Sequence, residues 1–210
     1  MNRIRAVLFN GAPRAGKDTA TKFLCDQLHA RPTLNIVPLH RKMAAPLKNG
    51  AHALFGLDVE HDHFENCKDL PNAAFFGDTP RHVYKSLSEK WVKPQYGKDA
   101  FGKIFCAEAI AAAKEAIKGT AKDAMIMCSD IGFDSELNVV IKEFGEQNVL
   151  LFRLHRDGCG FENDTRSLIN SEKICCIDVQ NENKTKLMFD IFGNTLHWYD
   201  FGTTVKGAYA

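Results

Sequence analysis

The segment GAPRAGKDT at residues 11–19 limits most strongly how this chain can fold. Phosphate-binding loops usually have the form G-x-x-x-x-G-K-[ST], and Gly11, Gly16 and Lys17 match it. An apolar run, Ile4–Phe9, precedes the loop, and residues 17–30 follow it with apolar side chains at helical spacing. A strand, a glycine loop and a helix in this order predict a phosphate site at the edge of a parallel sheet.

The residues of this loop suit phosphate binding for separate reasons. Glycines allow close backbone approach, and successive N–H groups with the positive end of the following helix can surround a phosphate. The ammonium of Lys17 is expected to reach the β- and γ-phosphates. The predicted cofactor-binding residues are Gly11, Ala12, Arg14, Ala15, Gly16, Lys17, Asp18 and Thr19.

Asp18 departs from the usual loop, since a carboxylate stands where a hydroxyl normally holds magnesium. Magnesium prefers oxygen ligands, so Asp18 can bind the ion directly or through water, and Thr19 supplies a hydroxyl one residue later. Alternatively, Asp18 is only part of the first turn of the helix. The loop pattern leaves both interpretations open.

The rest of the chain alternates strand-like and helix-like segments, which predicts one α/β domain over residues 1–210 with a five-stranded parallel sheet and helices on both faces. The predicted strands are 4–9, 34–39, 124–129, 149–154 and 174–179. The predicted helices are 17–30, 42–55, one beginning at Thr79-Pro80, 99–118, 135–144 and 184–192. Trp91 is expected on a buried stripe, the helix before it is expected to end at Pro94–Gly97, and residues 56–71 are interpreted as an insertion or mobile segment.

Composition narrows the class of partner and compartment. The formal net charge is +1, from 27 basic and 26 acidic residues, which argues against a large non-specific nucleic-acid surface but leaves room for a local basic patch. Seven cysteines without a C-x-x-C pair indicate free thiols in a reducing compartment. No run of about 18–20 apolar residues suggests a membrane span, and we expect a cytoplasmic protein without a signal peptide.

Charged residues after two later strands complete the predicted catalytic group. Asp130 follows the apolar run 124–129, where open α/β sheets bind ligands, and can position magnesium or accept a proton. Arg156 and Arg166 lie in a glycine-containing segment that can close over a transferring phosphoryl group. The alternatives are a helix cap for Asp130 and a solvated charged loop for the arginines.

Basic residues between the second and third strands are candidates for binding an acceptor phosphate. The candidates are Arg41, Lys42, Lys48 and Arg81, because guanidinium and ammonium groups suit phosphate, although a solvated surface explains each of them about as well. His61-Asp62-His63 lacks a third ligand at recognisable spacing, and we interpret it as an exposed loop rather than a metal site.

Five segments together resemble phage deoxynucleoside monophosphate kinases of the P-loop kinase superfamily. They are GAPRAGKDTA (11–20), MAAPLK (43–48), TPRHVYKSLSE (79–89), SDIGFDSEL (129–137) and HRDGCGFENDTRSLIN (155–170). The G-x-x-x-x-G-K-D-T form of the loop is characteristic of this group and of the animal phosphomevalonate kinases.

The resemblance implies a three-layer P-loop kinase fold with an acceptor-binding helical region at about 41–118 and a lid at about 155–170. It also implies ATP and Mg²⁺ as cofactors, with transfer of the γ-phosphoryl group to a deoxynucleoside monophosphate. By position, Lys17, Asp130, Arg156 and Arg166 would be catalytic, and Asp18 and Asp130 would hold the metal. A small nucleotide is the implied partner, no membrane is expected, a homodimer stays open, and a phage protein would work in the host cytoplasm.

The acceptor side departs from the family. Its members often carry a stretch like L-x-Q-x-x-G-T, whereas residues 85–99 read KSLSEKWVKPQYGKD. This difference suits a relative class that phosphorylates 5-hydroxymethyluracil within DNA, and DNA is a partner only under that alternative. A third possibility is a nucleotide-binding protein without kinase activity, for which Asp18 in the magnesium position is the motivation.

Overall fold

The computed structural model describes residues 2–162 and 164–202 and contains a single parallel sheet of five strands. The strands are β1 (Ile4–Gly11), β2 (Ile36–His40), β3 (Asp123–Cys128), β4 (Val149–His155) and β5 (Cys175–Gln180). Their order is β2-β3-β1-β4-β5, and every neighbouring pair is parallel. The predicted α/β class is therefore confirmed, with the loop-bearing strand β1 at the centre.

Helices cover both faces of this sheet. They are α1 (Lys17–His29), α2 (Ala45–Leu54), α3 (Pro80–Ser86), α4 (Lys93–Tyr96), α5 (Ala100–Ala116), α6 (Asp134–Phe144) and α7 (Lys184–Phe201). The side chains of α1 and α7 pack on one face of the central strands, and those of α5 and α6 pack on the other. Burial on both faces explains why the strands are continuous apolar runs rather than alternating ones.

A third, smaller apolar cluster holds together the region between β2 and β3. Phe64 and Phe75 are buried there against Tyr84 of α3 and Ala51 of α2. His52 lies in the same cluster, and its Nε2 is 2.7 Å from the Tyr84 hydroxyl. The segment 56–71 contributes Phe64 to this core, and whether it is an insertion or mobile segment stays a prediction.

The helical stretch that begins at Thr79-Pro80 passes Pro94 and ends at Tyr96, within the predicted range 94–97. After α3 the chain makes a wide π-helical turn over Leu87–Val92, in which the Lys93 amide donates to the carbonyl of Ser88, five residues earlier. This spacing displaces the hydrogen-bond ladder locally, and a proline, which has no amide hydrogen, is accommodated at position 94.

Two predictions are wrong, one on the burial of Trp91 and one on the end of the last helix. The wide turn rotates the following side chains relative to an ideal helix, and Trp91 is 55% exposed rather than part of a buried stripe. The last helix continues past residue 192 to Phe201, because Thr195 and Trp198 extend its buried face against the sheet. Within the described residues, no helix is both long and apolar enough to cross a membrane.

Candidate active site

The loop between β1 and α1 lies at the carboxyl edge of the sheet, and its glycines are required by close neighbours. Gly16 has a φ of 104°, and a Cβ there would lie 2.5 Å from the Asn181 side-chain nitrogen. A Cβ at Gly11 would lie 2.5 Å from the Leu154 carbonyl oxygen. Only glycine fits such contacts without displacing backbone or a bound side chain.

Two side chains from neighbouring strand ends brace this loop. Asn181, directly after β5, donates its amide to the carbonyl of Ala15 at 2.8 Å. Arg156, directly after β4, donates to the carbonyl of Arg14 at 3.1 Å. Arg156 therefore contacts the phosphate-loop backbone, and sequence reasoning missed Asn181 because no motif marks it.

Lys17 is the buried cation of the site. Its ammonium donates to the carbonyls of Gly11 at 2.6 Å and Ala12 at 2.7 Å, and the residue is only 9% exposed. Burial, together with the positive charge of Arg166, lowers the pKa of Lys17 to about 8. An anionic ligand would offset this penalty, because a nearby negative charge favours the ammonium form.

Asp18 points away from the loop interior toward the end of β3. Its Oδ1 accepts a hydrogen bond from Ser129 Oγ at 2.8 Å. The same oxygen forms an ion pair with Lys42 Nζ at 3.0 Å. Burial alone would raise the pKa of Asp18, but the Ser129 hydroxyl and the Lys42 ammonium lower it overall. The carboxylate is therefore ionised and tied to two elements, which is more than a position in a helical turn requires.

Asp130 joins the end of β3 to the start of the acceptor-side helices. Its two carboxylate oxygens accept the backbone amides of Met43 at 2.9 Å and Ala44 at 3.0 Å. It does not cap α6, because Glu136 accepts the amides of Gly132 and Phe133 instead. Asp130 does not cap α2 either, because Met43 and Ala44 precede that helix and its N-cap is Ala44, so the helix-cap alternative is wrong.

Arg166 reaches the same edge from the polar segment after β4. Its guanidinium forms two hydrogen bonds with Asp164, from Nε at 2.9 Å and from Nη2 at 2.6 Å, and this contact lowers the pKa of Asp164 to about 2. The stem of Arg166 crosses Gly132, where a Cβ would lie 2.4 Å from Cδ and 2.7 Å from Cγ. Gly132 therefore provides the space through which Arg166 passes.

Asn10, the penultimate residue of β1, fixes the backbone next to Arg166. Its buried amide donates to the carbonyl of Ile131 at 3.1 Å and to that of Ser167 at 3.3 Å, and its oxygen accepts the Ile169 amide at 2.9 Å. The second half of the proposed lid is thus attached to the strand that carries the phosphate loop. Whether residues 155–170 close over a nucleotide stays a prediction.

The predicted acceptor-side cations are each held by a different partner. Lys48 pairs with Glu65 at 2.7 Å, and Arg81 forms two hydrogen bonds with Asp69. The charges of Lys48 and Lys68, together with their hydrogen bonds, outweigh burial and lower the pKa of Glu65 to about 2. Arg41 is not part of these pairs, since its guanidinium donates to the carbonyl of His40 at 2.9 Å.

Several of these charged groups lie close enough to influence one another's pKa. The charges of Asp18, Asp164, Asp130 and Arg166 all act on Lys17, and the charges of Asp164 and Arg166 act on Arg81. Arg81 therefore lies within electrostatic range of Asp164 and Arg166. Arg41 instead lines a cavity of about 240 Å³, together with His40, Lys42, Asn49, His61 and Glu108.

Glu136 is a buried carboxyl at the start of α6. Burial raises the pKa of Glu136 to about 7, although its hydrogen bonds from the Gly132 and Phe133 amides oppose the change. No sequence motif marks Glu136 as a site residue, apart from its place in the 129–137 segment. Its contacts fix the turn that Arg166 crosses.

The donor set at this edge fits magnesium better than a softer metal. Asp18, Ser129 and Asp130 present oxygen atoms, and magnesium is usually held by one or two carboxylates with phosphate oxygens and water. Among the described residues, no three His, Cys, Asp or Glu side chains are grouped to hold an ion, and this includes His61, Asp62 and His63. A metal here would therefore need ligands from a nucleotide.

No protein-family model matches the chain, and no curated protein matches it either. Among solved structures, a gluconokinase from Sinorhizobium meliloti 1021 is 8% identical, with 92% of each chain covered and a TM-score of 0.38. A thymidylate kinase from Candida albicans is 12% identical, with 95% of this chain and 93% of that chain covered and a TM-score of 0.41. Both TM-scores lie below 0.5, so neither likeness bears on what this chain does.

Proposed function

We propose that this chain is an ATP-dependent phosphotransferase that moves the γ-phosphoryl group to a deoxynucleoside monophosphate, with Mg²⁺ as cofactor. The observation that carries this proposal is the position of Lys17, a buried ammonium held by loop carbonyls inside a glycine cradle at the sheet edge. A buried cation with no carboxylate in hydrogen-bond contact is suited to an anionic ligand.

The residues around Lys17 divide the work of such a transfer. Lys17 would turn from the carbonyls of Gly11 and Ala12 to the β- and γ-phosphates and stabilise charge on the moving group. Asp18, oriented by Ser129, would hold Mg²⁺, and the ion would neutralise phosphate charge when bound. Arg166, whose charge acts on Lys17, would stabilise the transferring group.

The acceptor would bind between the loop and the helices after β2. Arg81, which lies within electrostatic range of Asp164 and Arg166, would bind the acceptor phosphate together with Lys48. Asp130 would hold Met43 and Ala44, and with them the start of α2, against this space. Arg156 would support the loop rather than touch the acceptor.

The direct test is an ADP-release screen with ATP and Mg²⁺ against the common and hydroxymethylated deoxynucleoside monophosphates. We expect turnover with one or a few of them and none with the Lys17→Met variant. A parallel arm with an oligonucleotide that contains 5-hydroxymethyluracil tests the DNA acceptor. ATP binding without ADP release in every arm would instead support a binding protein without kinase activity.

A further inference from the structure

The helical segment before α5 presents two aromatic rings to solvent. Trp91 is 55% exposed and Tyr96 is 62% exposed, and their ring centroids lie 5.9 Å apart at 75°. Contiguous exposed apolar patches mark interaction sites, whereas single exposed apolar residues are common on protein surfaces. The π-helical turn at Leu87–Val92 precedes Tyr96 and directs Trp91 outward instead of into the core.

Lysines surround this pair in the sequence and on the surface. Residues 85–103 contain five lysines and two acids, although the whole chain has a net charge of only +1. Both acids are already paired, Glu89 with Lys93 at 2.6 Å and Asp99 with Lys103 at 2.9 Å. The other three lysines, Lys85, Lys90 and Lys98, are exposed and make no ion pair within the described part of the chain.

The basic surface continues into a groove between α5 and α6. Lys98 lines an open cleft of about 420 Å³ together with Lys103 and Lys142, and the acids Asp99 and Glu143 also line it. Ser135 at the start of α6 donates to the Lys98 carbonyl at 3.3 Å, which fixes this corner. Lys98, two residues after Tyr96, therefore belongs to a cleft that three lysines and two acids line.

The same surface adjoins the candidate active site. The Lys93 ammonium lies 4.4 Å from the centroid of the Phe133 ring. Phe133 follows Gly132, the residue that the Arg166 stem crosses. The segment that carries Trp91 and Tyr96 is therefore packed next to the turn that Arg166 crosses.

Other exposed aromatic residues lack this charge pattern. Phe189 and Phe201 on α7 are 73% and 70% exposed, but they adjoin Asp190 and Asp200 in the sequence. Phe76 is 90% exposed and precedes Asp78 by two residues. Lys184 and Lys186 lie near Phe189, but among the residues that the structure describes that ring has no exposed aromatic partner in contact, whereas residues 85–103 combine two rings in contact with three exposed lysines.

We propose that the 85–103 surface binds single-stranded nucleic acid, with Trp91 and Tyr96 stacking on bases and the lysines contacting the phosphate backbone. Proteins that bind single strands without strong sequence preference combine aromatic platforms with a cationic path in this way. A duplex would be a poorer ligand, because its bases are already stacked and cannot pack on the two rings.

The chain contains a convenient fluorescent reporter for this proposal. It has two tryptophans, and Trp198 is 1% exposed in the core, so quenching by an added oligonucleotide reports on Trp91. We expect oligodeoxythymidine of about 15 nucleotides to quench wild-type fluorescence at low salt, and added salt to weaken binding. Polyphosphate of equal charge should compete for the lysines but leave the tryptophan unquenched.

Variants separate stacking from general attraction. Fluorescence anisotropy of the labelled oligonucleotide should show about a tenfold or larger loss of affinity in Trp91→Ala/Tyr96→Ala, since stacking contributes about 1–3 kcal/mol per base. Phe189→Ala and Lys184→Ala/Lys186→Ala on α7 are matched controls and should bind as the wild type does. ADP release with a free monophosphate should be unchanged in every one of these variants, which keeps this test independent of the proposed activity.

Three results would overturn the proposal. The first is an absence of oligonucleotide binding by the wild-type chain at low salt. The second is binding that the Trp91→Ala/Tyr96→Ala variant keeps and the α7 lysine variant loses. The third is a protein dimer in sedimentation that Trp91→Ala abolishes while oligonucleotide binding persists, which would make the surface an interface between two copies.

Discussion

The two sides of the candidate cleft hold their cations in opposite ways. On the nucleotide side, Lys17 is buried and donates to backbone carbonyls. On the acceptor side, Lys48 and Arg81 are each paired with a carboxylate. A buried ammonium without a carboxylate partner is ready for an anion, whereas a paired cation must first exchange its partner, so the acceptor side can be tuned by its acids as well as by its bases.

The largest expected effect is at Lys17. Lys17→Met removes the buried positive charge, and we expect ADP release to fall by about 10³-fold or more, the upper end of what one electrostatic group supplies. Circular dichroism and thermal melting should show that the fold is kept. Turnover within tenfold of the wild type would mean that Lys17 is no more available to an anion than the paired cations Lys48 and Arg81.

Arg166 and Gly132 come next and are predicted to act as one unit. Arg166→Ala should lower kcat by about 10²-fold, as loss of a transition-state contact does. Gly132→Ala should lower it by about tenfold, because the new methyl group displaces the arginine stem. Measured kcat and KM of both single variants and of the double variant test this coupling.

The coupling has a clear signature and a control. In the Arg166→Ala background, Gly132→Ala should change kcat by less than about twofold. If the two positions acted independently, their effects on the activation free energy would add. Gly193→Ala is the matched control, because a Cβ there meets no atom within 4 Å. Additive losses in the double variant would show that Gly132 acts through the fold instead.

Substitutions of Arg81 and of Asp69 are expected to change the acceptor KM in opposite directions. Arg81→Ala should raise the acceptor KM by about tenfold, since it removes one charged hydrogen-bond donor. Asp69→Asn frees the same guanidinium and should lower the acceptor KM by about two- to threefold. Lys118→Ala, which removes a distant exposed pair with Glu115, should leave KM unchanged. A rise in KM for Asp69→Asn would mean that the carboxylate orients Arg81 rather than competing for it.

The smallest effect is a pH dependence of nucleotide affinity. The pKa of Lys17 is about 8 in the free protein, and bound phosphate would raise it. Binding then takes up a proton above pH 8, so affinity for ATP should fall with rising pH by at most about tenfold per unit. Calorimetry across this range would measure it, and Lys17→Arg should flatten the profile. A flat wild-type profile would contradict the assignment of Lys17 as the phosphate ligand.

The strand, loop and helix around residues 11–19 could be predicted from sequence because these residues are contiguous and have a recognisable pattern. Asp130 was located correctly at the end of β3, but its bonds to Met43 and Ala44 join residues more than 80 positions apart, which no spacing rule reveals. The passage of Arg166 over Gly132 depends on packing in the same way. Trp91 was misplaced because one wide turn shifts the side-chain register, and sequence periodicity assumes a regular helix.

Asn10 gives the site a mechanical property. One buried amide side chain ties the segment after Arg166 to the strand that carries the phosphate loop. The Ile169 amide is thereby protected, and its hydrogen exchange should follow the opening of the sheet, whereas exposed amides at 156–158 should exchange through local fluctuations. Any closing motion of the arginine segment would therefore hinge ahead of Asp164, and Arg166 would keep its distance from Lys17 while the rest of the segment moved.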